Sequence, residues 1–429
     1  MEHGSVRIAF TTLGCKINQF ETDVMRQDLI AKGNTIVPFN AEADVYIINT
    51  CSVTEKSDLQ SKQEIRSAIR RSRGDNATVV VTGCYAETQP EEIRNIPGRT
   101  IIFGNREKTN IVDHIMSTAA ATSGQRTSSM PNQALHGKTR GFLKIQDGCD
   151  NRCSYCIVPL ARGGSRSVAV SDVANEFCRL IEAGYPEVVL SGIHIGKYGA
   201  DLGSGITLTE MVKKLLFERK QARIRLSSIE PREITDELIN LIGNGLCRHL
   251  HVPLQSGDDA ILSSMKRNYT SSYYQDLLNK IAKHVPTIAL GADIMVGFPG
   301  EGEQAFQNTL RLVEELPLTH LHVFCYSARP GTPAAQMMSQ VPDQLKKNRR
   351  EALLVVGKKK NFEFRKRCLD QELTVVVENK VDGNTGYYEG LTDNYIRVQI
   401  RGSKRDQIGK TINIRIREVN EACNIAVIS

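Results

Sequence analysis

The chain has 429 residues, 40% hydrophobic and 24% charged, with a net charge of +7. Those proportions exclude a disordered, collagen-like or small disulfide-scaffold protein and leave room for about three domains. The first residues, MEHGSVRIAF, lack an apolar core of signal-peptide length, and no run approaches the roughly 18 apolar residues of a membrane helix, so a cytoplasmic protein with no membrane partner is expected.

The first region, residues 1–116, alternates β-branched runs with helical periodicity. RIAFTTLG reads as a strand and a helix follows around Glu21 to Ala31; DVYIINT is a second strand, and EKSDLQSKQEIRSAIRRSR a charged helix. TVVVTG and TIIFGN supply two more strands, and this alternation predicts an N-terminal α/β domain on a parallel sheet. Cys15, Cys51 and Cys84 each fall just past the C-terminal end of one of these strands. Ligand sites form along that edge of an open parallel sheet. Cysteine also packs as a small hydrophobe, but three thiols at one topological position point to converging soft ligands suited to an iron–sulfur cluster.

Residues 117–139 are small, polar and aperiodic, and read as a linker. The next region, residues 140–366, repeats a strand-then-helix pattern six times, with strands GFLKIQDG, EVVLSGI, ARIRLSS, HLHVPLQ, TIALGADIMVG and HLHVFCY. Six such units predict a partial (β/α)6 barrel of the TIM type, with its site at the C-terminal mouth of the strands. GCDNRCSYC follows the first strand and sets Cys149, Cys153 and Cys156 at a C-x3-C-x2-C spacing. A structural zinc site takes four ligands, and no histidine lies between His136 and His194 to act as the fourth. Three thiolates can hold a 4Fe–4S cluster and leave one iron open to an outside ligand.

The barrel region ends in a basic connector: from Pro342 to Asp370 ten Lys or Arg face four acids. It reads as a helix that is either simply solvated or turned toward phosphates, since clustered cations release counterions on meeting nucleic acid. Residues 367–429 hold the β segments ELTVVVENKV, GYYEGLT, YIRVQIR, TINIRIREV and NIAVIS, with Gly383 and Asn384 as a hairpin turn, and predict a small antiparallel β-barrel. Cys178, Cys247, Cys325, Cys368 and Cys423 have no partner at ligand spacing and read as structural.

A C-x3-C-x2-C after the first strand of such a barrel resembles the radical S-adenosylmethionine superfamily. Together with TTLGCKINQFETD, NTCSVT, TGCYAE and GCDNRCSYCIVPLARGGSRS, it resembles the methylthiotransferase family over essentially the whole chain. The resemblance implies two 4Fe–4S clusters, a radical-generating one on Cys149, Cys153 and Cys156 and one holding or supplying sulfur on Cys15, Cys51 and Cys84. S-adenosylmethionine would bind with help from Tyr155, Gly192, Ser228, Glu230, Gln255 and Asp293. The segment SGIHIG lacks the acidic residue usual in the superfamily. Arg162 and Arg166 would bind an anion or substrate near the radical cluster, or else form structural ion pairs. The C-terminal barrel resembles the TRAM RNA-binding module. LGCKINQFETD with NTCSVTEKSD resembles the branch that methylthiolates C2 of threonylcarbamoyladenosine in tRNA, beside the anticodon. The implied partners are the tRNA anticodon stem-loop, a reducing electron donor such as a flavodoxin or ferredoxin, and a sulfur source. Alternatives are the branches acting on isopentenyladenosine in tRNA or on an aspartate of a ribosomal protein. A rival from another class is a non-catalytic RNA-binding iron–sulfur protein, although a ferredoxin-like carrier expects four cysteines per cluster.

Overall fold

Runs of β-branched residues set the first sheet. The computed structural model describes residues 5–72, 77–120 and 139–429. Strands β1 (Arg7–Thr12), β2 (Thr35–Val37), β3 (Val45–Thr50), β4 (Thr78–Gly83) and β5 (Ile101–Ile102) form one sheet in the order β2-β1-β3-β4-β5. Every pairing is parallel. Each residue of β3 is buried, as a central parallel strand covered on both faces requires. Met25 and Leu29 of α1 (Lys16–Ala31) pack with Ile8, Phe10, Ile47 and Val80 on one face. Ile65, Ala68 and Ile69 of α2 (Glu55–Ser72) pack with Tyr46, Ile48, Val79 and Val81 on the other. Helix α1 starts at Lys16, earlier than its apolar periodicity suggests. The short strand β2 has only three residues of pattern and went unread in the sequence.

Helices α3 (Cys84–Thr88), α4 (Pro90–Arg94) and α5 (Asn110–Ala120) complete the region. Helix α5 thus runs into the expected linker, and positions 121–138 of that linker lie outside the described residues. Packing divides the chain into two units: the first joins the N-terminal region to residues 148–164 and 327–335, and the second holds 139–147, 165–326 and 336–429.

In the second unit, β6 (Gly141–Lys144), β9 (Glu187–Ser191) and β10 (Arg223–Leu226) form one parallel sheet, and β11 (His249–His251), β12 (Ala289–Val296) and β13 (His320–Cys325) another. Backbone bonds from Cys247 N to Ile224 O and from Ile229 N to His251 O link them, so all six expected barrel strands are present. A short ladder of β7 (Gln146–Asp147) with β8 (Arg166–Ser167) brackets the cysteine loop in sequence, and α6 (Val158–Arg162) lies within that loop. Side chains alternate across each strand. Val188, Leu190, Ile224, Leu226, Leu250, Leu290 and Ile294 join the apolar core under the outer helices α7 (Val170–Glu182), α8 (Leu208–Glu218), α9 (Asp236–Leu241), α10 (Asp259–Ser264), α11 (Ser271–His284) and α12 (Glu303–Glu315). Glu187, Arg223, Arg225, His249, His251, Asp293, His320 and His322 take the opposite, inner face.

After α13 (Asp343–Arg367), strands β14 (Glu372–Val381), β15 (Tyr388–Thr392), β16 (Arg397–Arg401), β17 (Thr411–Val419) and β18 (Asn424–Ile428) close a barrel in the order β14-β15-β16-β18-β17. It is antiparallel except where β16 pairs β18 in parallel. The turn after β14 is longer than a two-residue hairpin. Asp382 Oδ1 accepts from the backbone N–H of Asn384 and Thr385, and the left-handed residue is Gly386, so an aspartate-led loop replaces the Gly383–Asn384 turn. Among the described residues no helix is long and apolar enough to cross a membrane.

Candidate cluster and cofactor site

The first thiol triplet sits on the carboxyl edge of the N-terminal sheet. In the order β2-β1-β3-β4-β5 the strand order reverses between β1 and β3, and such a switch point opens a crevice at the strand ends. Cys15 follows β1, Cys51 follows β3, and Cys84 follows β4 as the first residue of α3. Gly14, at φ +92°, lets the first loop lie on the second: a Cβ there would come within 2.7 Å of Cys51 Sγ. Asn18 ties the loops together by donating to Leu13 O and Thr50 O, both at 2.9 Å. Cys51 and Cys84 are buried and Cys15 is exposed. Burial pushes both buried thiols up, and at Cys84 the charges of Arg162 and Lys108 pull the other way.

The second triplet occupies a closed loop of the same unit. Cys149 N–H donates to Gly163 O at 3.0 Å, and Cys156 N–H to Cys153 O at 3.1 Å. Gly148 is the pivot: at φ +72°, any Cβ would lie 2.0 Å from Gly164 O. All three cysteines, and Tyr155 between the last two, are half-buried. The loop runs into α6, whose terminal Arg162 is buried and donates to Glu21 Oε1 at 2.9 Å and Asn18 Oδ1 at 2.6 Å. Buried Lys108 pairs with the same Glu21. Asn105 Nδ2 donates to Ala161 O at 2.6 Å and lies 3.8 Å from Cys84 Sγ. The loop of one triplet is thereby anchored on the residues that surround the other. Arg166, in the second unit, is exposed and lies 3.7 Å from Asp147.

Neither triplet has single-ion spacing. Among the described residues, three ligand atoms within 4.8 Å of one another occur only at His251, Asp293 and His322. A zinc ion with Zn–S bonds of about 2.3 Å would need sulfurs roughly 3.8 Å apart. None of the cysteines forms a disulfide.

In the second unit, three buried oxygens at successive strand ends have no hydrogen-bond partner: Ser191 Oγ at the end of β9, Ser227 Oγ after β10 and Gln255 Oε1 after β11. Gln255 is also one of few non-glycine residues with a left-handed backbone, φ +66°. Its backbone is locked against Asp293 O at 2.8 Å and Met295 N at 2.9 Å. Buried polar atoms are normally satisfied, so unpaired ones at strand ends are candidates for binding a ligand's polar groups. Gly192 has no room for a side chain, its Cβ position being 3.0 Å from Gln146 O. Ser228 is exposed, and Glu230 is engaged by Arg267.

Asp293 accepts from His251 Nε2 at 2.9 Å and lies 3.4 Å from His322 Nδ1. Burial opposes its ionisation, but the two imidazoles hold its carboxyl well below the usual carboxylate range. The repeated H-x-H of HLHVPLQ and HLHVFCY was the available sign of this inner-face cluster. Asn18, Glu21, Asn105 and Lys108 were also missed, and nothing local to them marked their partners.

Residues 7–104 match a family described as uncharacterized protein family UPF0004, and residues 143–313 match the radical SAM superfamily. Among solved structures, the radical S-adenosylmethionine methyltransferase TsrM from Kitasatospora setae superposes with a TM-score of 0.58 at 15% identity over 77% of each chain, a likeness of fold. Fold and sequence together define a radical S-adenosylmethionine enzyme. A Bacillus subtilis (strain 168) protein named threonylcarbamoyladenosine tRNA methylthiotransferase MtaB is 37% identical over 95% of this chain and 93% of its own. A Clostridium tetani protein named tRNA-2-methylthio-N(6)-dimethylallyladenosine synthase is 32% identical over 94% of this chain and 92% of its own. The chain belongs to the tRNA methylthiotransferase family.

Proposed function

We propose that this chain adds a methylthio group to C2 of the adenine in threonylcarbamoyladenosine of tRNA, beside the anticodon. Its cofactors are S-adenosylmethionine and two 4Fe–4S clusters, on Cys149, Cys153 and Cys156 and on Cys15, Cys51 and Cys84. When bound, they supply a one-electron route to a carbon radical together with the sulfur and the methyl group that the substrate gains.

The residues present fit those groups. Each triplet offers three soft donors and stops short of four, which leaves one metal position for an outside ligand. Ser191, Ser227 and Gln255, with their unpaired oxygens, are assigned to the polar groups of S-adenosylmethionine, as are Gly192 and Ser228. Glu230 and Asp293 act through the partners that hold them, Arg267 for the first and His251 and His322 for the second. The closed C-terminal barrel is read as a TRAM-type module that holds the tRNA, with the exposed lysines of α13 meeting its phosphates. One-electron chemistry requires a reducing donor such as a flavodoxin or ferredoxin, and the product requires a sulfur source. Thiols without disulfides suit a cytoplasmic setting.

The observation that carries the reading is the pair of thiol triplets joined through α6 in one packing unit. It is tested with reconstituted protein, S-adenosylmethionine, reductant and tRNA under anaerobic conditions. The intact chain should form deoxyadenosine and methylthiolated tRNA, and Cys153→Ala neither. Cys84→Ala should still cleave the cofactor but leave the tRNA unmodified; a modified product from that variant would refute the role given to the first triplet.

A further inference from the structure

Arg162 is an unusual residue to bury. Its guanidinium is always charged, and it lies inside the first unit with Lys108, also buried, and the carboxylate of Glu21, which is bonded to both. Arg162, Lys108 and Glu21 together carry one net positive charge, and charge held away from water is favourable only with an opposite charge beside it. Cys84 is that neighbour. Asn105 Nδ2 lies 3.8 Å from its sulfur and donates at 2.6 Å to the carbonyl of Ala161, the residue before Arg162, and the charges of Arg162 and Lys108 both favour the thiolate. Asn18 Oδ1, which also accepts from Arg162, is uncharged. Asn105 itself is oriented by Ala161 O, and its backbone N–H is bonded at 2.7 Å to Glu87, which is exposed to solvent.

The proposed cluster has the matching charge, since a doubly positive 4Fe–4S core held by three thiolates carries one net negative charge. We infer that Arg162, delivered by the loop of Cys149, Cys153 and Cys156, is a positioning residue for the cluster on Cys15, Cys51 and Cys84: with Lys108 it balances that cluster's charge and raises its reduction potential. Adding an electron makes the cluster more negative, and nearby buried cations favour that state, because Coulomb energies are large where water is excluded. The same side chain mechanically couples the two sites. Any shift of the loop around one cluster moves a charge beside the other. This inference rests on the proposed assignment of the first triplet to a cluster.

The test is a redox titration followed by electron paramagnetic resonance on the full chain carrying both clusters, comparing the intact protein with Arg162→Met, Arg162→Lys and Lys108→Met. A Cys51→Ala/Cys84→Ala background isolates the signal of the other cluster. The expected result is a more negative midpoint for the first cluster in Arg162→Met and Lys108→Met, largely restored in Arg162→Lys. The midpoint of the other cluster should stay in place. Loss of the first cluster from Arg162→Met with retention in Arg162→Lys also supports a charge-balancing role. An unchanged midpoint with both clusters intact would overturn the inference, as would equal loss from the Met and Lys variants, which marks a packing role alone. If the intact chain binds iron for only one cluster, the assignment of the first triplet itself fails, and the iron count makes that outcome distinct.

Discussion

Single atoms decide whether the cysteine loops can exist. Gly148→Ala would place a methyl 2.0 Å from Gly164 O on a left-handed backbone, so the loop of Cys149, Cys153 and Cys156 must shift. That variant should fold its β-sheets yet lose about half of the bound iron, which iron analysis beside circular dichroism would reveal. The six cysteines stand out in the sequence as candidate ligands because their spacing, and their positions after strands, are local features. Arg162 was legible only as a residue near them, because its partner Glu21 lies 141 positions away and no local pattern encodes that pairing. His320 is a different case of residue-scale control. Burial, followed by the charges of His251 and His322, pushes its imidazole down to about 4. The unfolded chain, with an ordinary value near 6.5, then binds the proton first as pH falls. Stability should drop between about pH 6.5 and pH 4, by on the order of 3 kcal/mol at a tenfold affinity change per 1.4 kcal/mol. Denaturant melts at pH 7 and pH 4.5 should therefore converge in His320→Gln and diverge in the intact chain.

At the scale of elements, buried charge again does the joining. Arg223 and Arg225 of β10 both donate to Glu187 of β9, at 2.6 and 2.8 Å, and reach on to carbonyls of Thr374, Leu391, Thr392 and Asp393 in the C-terminal barrel. Tyr395 of that barrel stacks on His249 at 4.1 Å. Glu187→Gln would strand two buried guanidiniums, and breaking such a pair costs about 3–5 kcal/mol; thermal unfolding should fall accordingly, with the C-terminal barrel becoming the first target of limited proteolysis. The strands themselves were easy to read, since long β-branched runs survive any context. The turn after β14 was not, because the Asp382 side chain rather than the Gly–Asn pair sets its backbone. Helix α13 was read as a basic connector, and its cations divide. Arg349 is spent on Glu301 at 2.7 Å, whereas Lys347, Lys358, Lys359 and Lys366 are exposed. Lys358→Ala/Lys359→Ala/Lys366→Ala should weaken tRNA binding and flatten its salt dependence by about one unit of log–log slope for each phosphate no longer neutralised. Filter binding across a salt series gives that slope directly.

The whole molecule combines a flavodoxin-like strand order that opens a crevice for one thiol triplet, a partial parallel barrel with unpaired oxygens at its strand ends, and a closed β-barrel reached by a basic helix. Fold class and cofactor set were legible because each part has its own periodicity and its own cysteine spacing. The choice among modified adenosines was not written in spacing or composition; it rests on the resemblance of LGCKINQFETD and NTCSVTEKSD to one branch, and on whole-chain similarity, where the relative named for threonylcarbamoyladenosine is 37% identical and the one named for dimethylallyladenosine 32%. The most direct test is mass spectrometry of nucleosides from the tRNA of a bacterial strain that lacks this modification and expresses either the intact chain or Cys153→Ala. A methylthio increment on threonylcarbamoyladenosine with the intact chain alone is the predicted result. An increment on dimethylallyladenosine instead, or none on any nucleoside with both clusters present, would contradict the account.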